Sequence, residues 1–387
     1  MACSFRWLSF IAVGVLLCCF ILSPAHSSES RGNLPQDVQR AINTLLAARG
    51  KNTAPTAAAL APLLEYAMSP LNHSPGGQEL FPTPRSEGQG IFWRAKLQVP
   101  LNTLLQYAFN PKMPGEAVYP AAIRYARWLP GSDILTAGDL WAQKVTKDAY
   151  LVLRGAEYEE ITPDTFSGAY YSYTLDRLLI LTEYEGLKAL ISVNWQRGNS
   201  SVGQKAANIG PYENWDFIYS GAKGTLARGI GWAETYMYAA SAIAVFYEET
   251  PGGATTGYSL FKWLRAGWSG MNMVKRNHIR DGTIRAFTGL QDFMEAPNRP
   301  SADAIIAYTQ QLRALDVETL RKRFAPYSAK VTEIGKTDAV LQTDDFQKVI
   351  NNGSYGANLQ KEELIAAMTV NFIKQKLGKP QLAGPLE

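Results

Sequence analysis

The segment Ile91-Phe92-Trp93-Arg94-Ala95-Lys96-Leu97-Gln98-Val99-Pro100 changes period at its last residue. Ile91, Trp93, Ala95, Leu97 and Val99 alternate with Phe92, Arg94, Lys96 and Gln98, which is the spacing of a β-strand with two unlike faces. Pro100 has no N–H to give a sheet, and its fixed φ suits a first helical turn. Leu101 to Phe109 then reads as a short helix with Leu104, Leu105 and Ala108 on one side, ended by Pro111, Pro114 and Gly115.

Downstream the pattern is that of several antiparallel strands. Val118 to Leu129 is expected to be one, with Pro120 favouring an edge or a bulge. Ala149–Tyr158, Ser167–Tyr173, Arg177–Tyr184 and Leu187–Trp195 follow, the last two joined by a hairpin turn at Glu185-Gly186. Residues 197–231 are glycine-rich and polar and read as a long loop. Ala233 to Glu248 is apolar and aromatic, with Ala239-Ala240-Ser241 marking a break. Thr250-Pro251-Gly252-Gly253 is a turn, and Tyr258–Leu264 a last strand. The period then lengthens. Ile284, Phe287, Leu290 and Met294 predict one long helix over Met271–Glu295, weakened at Gly282 and closed by Pro297 and Pro300.

Both flanks are helical. In 28–90, Val38, Ile42, Leu45 and Leu46 recur at helical spacing, Ala57 to Met68 is a second apolar stretch, and 69–90 is a proline- and glycine-rich linker. In 298–387, Ser301 and Asp316 are N-cap candidates, the second for a helix through Arg323. Glu362 to Leu377 is amphipathic and stops at Gly378. The fold class is therefore α+β.

The order over 91–297 resembles the START-type helix-grip fold. The resemblance is carried by Phe92 to Pro100 with the helix that follows, and by the Tyr258–Leu264 strand leading to the Met271–Glu295 helix. It implies a curved antiparallel sheet wrapped on a long C-terminal helix, with a lipid-like apolar or amphipathic small molecule bound between them. The helical segments before residue 69 and after 300, and the 197–231 loop, depart from the simple family fold. Tyr170, Tyr171, Tyr173, Tyr236, Tyr238, Trp263 and Phe287 are then candidates to line the cavity, since tyrosine and tryptophan join a large apolar body to a polar tip.

Residues 1–27 read as a secretory signal peptide. Arg6 precedes an apolar run from Leu8 to Leu22, which is shorter than the ~20 residues of a membrane span. Ala25 and Ser27 offer small residues for cleavage after Ser27. A periplasmic or secreted location is expected. All three cysteines of the 387-residue chain, Cys3, Cys18 and Cys19, lie in that signal. A mature chain without them has no disulfide, thiolate nucleophile or zinc–thiolate site. Of three histidines, His73 and His278 would remain, so a histidine-rich metal site is excluded and no cofactor is expected. A net charge of +4 gives no field of the kind that binds nucleic acid.

Three further features bear on chemistry. Lys262, Arg265, Lys275 and Arg276, with Arg280, cluster around Trp263 and Trp268. They are candidates to meet a lipid headgroup or an anionic membrane surface. Glu157 with Glu159, and Glu183 with Glu185, are two apart, so each pair shares a strand face. Paired carboxylates about 5–10 Å apart are what glycoside hydrolysis uses. A cell-envelope glycan-binding protein or glycan-active enzyme is thus the alternative to a binding protein, and a partner-docking role for the helical tail is a third. Gly221 to Gly231 resembles a phosphate loop only superficially, because it lacks the Lys-Ser/Thr pair at the required spacing. His278 stands without a Gly-x-Ser-x-Gly motif and reads as a helix-surface residue.

Overall fold

The computed structural model describes residues 32–69, 80–164, 168–227, 231–384 and 386. Residues 1–27, read above as a signal peptide, residues 70–79 of the 69–90 linker with His73, Ser167 and part of the 221–231 run lie outside them. The chain opens with β1 (Gly32–Asn33), α1 (Gln36–Leu46), α2 (Ala57–Met68), β2 (Leu80–Phe81) and β3 (Gln89–Leu97). α3 (Leu101–Ala108), α4 (Gly115–Val118), β4 (Ile123–Trp128) and β5 (Leu151–Ile161) follow. Then come β6 (Ala169–Tyr170), β7 (Ser172–Tyr184), β8 (Leu187–Gln196), β9 (Gln204–Asn208) and β10 (Phe217–Lys223). β11 (Thr225–Ala227), β12 (Gly231–Ala233), β13 (Thr235–Glu248) and β14 (Thr256–Trp268) complete the strands. The C-terminal helices are α5 (Arg276–Met294), α6 (Ala302–Ala314), α7 (Val317–Ile334), α8 (Asp344–Asn351) and α9 (Lys361–Leu377).

Seven strands form one antiparallel sheet in the order β3-β14-β13-β8-β7-β5-β4. The fold is α+β, with this sheet at its centre. Both of its faces are covered, which explains why β7 and β8 read as near-continuous apolar runs instead of clean alternations. On one face Leu178, Ile180, Ile191, Val193, Ile243, Val245, Phe261 and Trp263 pack against Ile42, Leu45, Leu63 and Leu64 of α1 and α2. On the other, Leu97, Leu153, Leu179, Leu181, Leu190 and Phe246 meet α3, α5, α6 and α9 through Leu104, Leu105, Phe293, Ile305 and Ile373. Each such buried aliphatic or aromatic side chain stabilises the fold by about 1.5–3 kcal/mol. A third core joins Phe324, Phe346, Leu364 and Met368 of the C-terminal helices to Ala207 and Ile218 of the small β10-β9-β6 sheet.

Several expectations from sequence need correction. The 197–231 stretch is not a loop: β9, β10 and β11 occupy much of it, because Ala207, Ile209 and Ile218 find an apolar partner surface in the C-terminal helices. Val118–Leu129 divides into the end of α4 and β4, with Pro120 in the connection. The Ala239-Ala240-Ser241 break is a bulge between Met237 and Ala239 within a continuous β13. The long helix begins at Arg276, not Met271, and Ile284 faces solvent. Ser167–Tyr173 is not one strand: β6 pairs with β9 in a different sheet from β7. The helix capped by Asp316 runs on to Ile334, and α8 was not anticipated. The hairpin at Glu185-Gly186 forms as expected, both residues having positive φ (52° and 77°). Ser301, Asp316 and Gly378 cap and stop their helices as expected. No described helix is long and apolar enough to cross a membrane.

Candidate functional site

β13 carries Ala240, Ala242 and Ala244 at alternate positions on the face away from α1 and α2. Their neighbours in the ladder are Leu264, Lys262 and Leu260 on β14, with Asn194 and Ser192 on β8. Three methyl groups in the middle of a sheet fill little of the space beneath the covering helices. A cavity of about 920 Å³ opens there. Phe109, Phe246, Tyr258 and Phe287 form an aromatic wall. Phe246 meets Phe109 edge-on at 5.5 Å and Tyr258 at 4.8 Å, and Phe287 stacks on Tyr258 at 5.5 Å.

A polar cluster faces that wall. Arg177 lies on the core face of β7, between Leu175 and Leu179, and opposite Gly155 of β5. A Cβ at Gly155 would stand 2.6 Å from the Ser132 Cβ, so only glycine admits this approach. The Arg177 Nε and Nη2 donate to one oxygen, Glu157 Oε2, at 2.7 and 2.6 Å. Glu159 Oε1 is 3.9 Å away, and the guanidinium lies 5.7 Å from the centre of the Trp128 ring. Glu157, Glu159 and Arg177 keep only 12, 13 and 16% of their side-chain exposure. That remainder opens on the cavity, which all three line.

Electrostatics follow from this enclosure. Burial pushes the Glu159 carboxyl up to about 7, and the neighbouring Glu157 adds to the shift. Arg177, Lys262 and a hydrogen bond with Tyr173 oppose it without prevailing. Burial also works against the Arg177 charge, but Glu157 and Glu159 outweigh it and hold the guanidinium protonated. Lys262 is lowered by burial, only partly offset by Glu159. Tyr173 and Tyr258 are raised well above an ordinary phenol, chiefly by burial. At the rim, Arg124 pairs with Glu160 at 3.0 Å and with Glu363 of α9 at 2.5 Å. The helical tail therefore contributes to the wall of the cavity.

Of the cavity candidates read from sequence, Tyr173 and Phe287 line it. The others do not. Trp263 is fully buried on the opposite face, its Nε1 donating to the Thr83 carbonyl at 2.9 Å. Successive residues of a strand point to opposite faces, so Trp263 and Lys262 cannot share a site. Tyr171 belongs to a small cluster with Ala169 and Met237, and Tyr170 packs edge-on against Tyr219 at 5.0 Å. Tyr236 and Tyr238 stack on each other at 6.3 Å at the bulged end of β13. The basic candidates also separate. Lys262 enters the cavity. Arg265 lies over Tyr238 at 5.3 Å, Lys275 is the N-cap of α5, and Arg276 donates to the Gly90 carbonyl at 3.1 Å. Glu183 lies near the end of β7 and Glu185 in the hairpin turn itself, away from the cavity, whereas Glu157 and Glu159 share it. His278 stands in the first turn of α5, where its Nδ1 accepts the Lys275 N–H at 3.4 Å.

Arg177, Asn194, Trp128, Tyr258 and the alanine row were not foreseen. Arg177 could have been: it shares its parity with Leu175, Leu179 and Leu181, a charge on an otherwise apolar strand face. Among the described residues, no group of three His, Cys, Asp or Glu side chains could hold a metal ion.

No family model matches the chain, and no curated protein matches it. Among solved structures, a similar chain is an uncharacterised protein from Rhizobium leguminosarum, at 14% identity with a TM-score of 0.22. The match covers 53% of this chain and 93% of that one.

Proposed function

We propose that this protein is an exported, non-enzymatic carrier of an amphipathic, lipid-like small molecule held between the sheet and α5. One observation carries the reading: a single cavity of about 920 Å³ joins an aromatic wall to an enclosed cluster of two acids and two bases. Burying ions costs several kcal/mol each unless partners compensate. An apolar cargo would gain nothing from Arg177, Glu159 and Lys262 in its pocket, whereas the head of an amphiphile would. The arrangement is read as helix-grip-like, with α5 as the gripping helix and Phe287 set against Trp93 and Tyr258 at 4.9 and 5.5 Å. Residues 1–27 supply the export signal in this reading.

A second reading, a glycan-active enzyme, draws on the Glu159 carboxyl at about 7, which suits a general acid near neutrality. Against it, Glu157 is engaged by Arg177, and both acids come from one strand instead of flanking a substrate. Native mass spectrometry of protein purified from its own host, with organic extraction, tests the carrier reading. A bound amphiphile, or uptake of a hydrophobic fluorophore by the emptied protein, is expected. An empty protein that takes up no fluorophore would overturn it. Hydrolysis of a glycan, lost in Glu159→Gln, would replace it with the second reading.

A further inference from the structure

Lys262 differs from the other enclosed lysines. Lys374 pairs with Asp216 at 2.5 Å, Lys205 pairs with Asp345, and Lys188 donates to Asn102 Oδ1 at 2.9 Å. Among the described residues, Lys262 Nζ has neither a hydrogen-bond nor an ion-pair partner. The ladder explains why. Its cross-strand neighbours are Ala242 and Ile91, and Leu260 and Leu264 flank it on the same strand face. None of the four has an acceptor on its side chain. The opposing charge that acts on it is Glu159, three strands beyond Ala242 and facing the same cavity. Arg285 of α5 adds a like charge.

We propose that Lys262 captures a carbonyl-bearing amphiphile, an aldehyde or ketone with an apolar tail, as a reversible imine. The inference rests on the carrier reading and specifies its ligand. Nζ gives its lone pair to the carbonyl carbon, and the carbonyl π pair moves to oxygen, which takes a proton from Glu159. Nζ returns one proton to Glu159, and the carbinolamine then loses its hydroxyl together with the remaining Nζ proton as water, leaving C=N. Amine and carbonyl give imine and water, no electrons are transferred, and Glu159 recovers its proton. Burial favours the neutral, nucleophilic amine, and each unit by which its proton affinity falls raises the neutral fraction about tenfold. The aromatic wall of Phe246, Tyr258 and Phe287 takes the tail.

The test incubates the purified protein with nonanal and cyanoborohydride, which reduces an imine to a stable secondary amine, and maps the adduct by peptide mass spectrometry. Lys262 is expected to be labelled ahead of the exposed lysines and to carry most of the adduct. Excess hydrophobic fluorophore should slow that labelling, and Lys262→Arg should abolish the adduct at that position. Mapping on the unaltered protein makes the result independent of how the variant folds. Fluorophore uptake with labelling spread evenly over surface lysines would overturn the imine and leave the carrier reading standing. Selective labelling of Lys262 without fluorophore uptake would support the reactive lysine and overturn the carrier. Neither uptake nor selective labelling would overturn both.

Discussion

Replacing Glu159 by Gln should make the protein more stable above neutral pH and leave it nearly unchanged in acid. The carboxyl has an ordinary value of 4.5 and is pushed up to about 7, first by burial and then by Glu157. A raised acid means that the folded state holds the proton more tightly than the unfolded one. Its contribution is fully present below about 4.5 and is lost as pH rises through about 7. The full difference is about 2.5 units, or about 3 kcal/mol at 1.36 kcal/mol per unit, and about three quarters of it falls between about pH 5 and about pH 8. Gln has the shape of the protonated acid and does not titrate. Denaturant unfolding of both proteins at these two pH values gives the difference directly. Glu116 is likewise pushed up to about 7 by burial, but it titrates in both proteins and cancels. A stability difference that is flat with pH, or a variant less stable at about pH 8, would refute an enclosed Glu159 that is protonated near neutrality.

Three other substitutions probe other parts of the structure. Ala242→Phe places a ring between Lys262 and Asn194 on the cavity floor, and fluorophore uptake should weaken by about tenfold or more with the circular dichroism retained; unchanged uptake would put the ligand elsewhere. Trp263→Phe should cost about 1–3 kcal/mol through the lost bond to Thr83 and lost packing, with uptake unaltered because the ring faces α1 and α2; reduced uptake at full stability would contradict that placement. Lys374→Met leaves Asp216 buried without its partner, in a pair exposed by only 1 and 7%. It should lower the unfolding midpoint by the equivalent of about 3–5 kcal/mol, with Asp216→Asn restoring part of it; a negligible change would mean that the pair is solvated.

The strands around 91–99, 187–195 and 258–264 were legible because half or more of their residues are apolar and their ends carry Pro or Gly, and that around 149–158 by its apolar residues alone. The caps at Ser301, Asp316 and Gly378 were legible for a similar reason: a cap is a local hydrogen bond or a local φ. β9 and β10 were not. β9 is small and polar, and in β10 the apolar Phe217, Ile218 and Tyr219 run straight into Ser220 and Gly221; docking of Ala207 and Ile218 against Phe346 and Leu364 makes an extended conformation favourable there. The alanines of β13 resembled a break because small residues carry no strand signal of their own, yet they are what leaves the cavity open.

The sequence by itself determined an α+β chain, its helix boundaries at capped ends and its two-residue hairpin turn. Each of these depends on period, parity or a bond between near neighbours. Which face was the cavity face, and which charges met there, was decided only by tertiary structure. Glu157, Arg177, Asn194 and Lys262 come from four strands, up to 105 residues apart in sequence. Whether a carboxylate keeps its ordinary proton affinity or loses it depends on what surrounds it. For Glu159 those surroundings are assembled by the register of the sheet and by the helices that close over it.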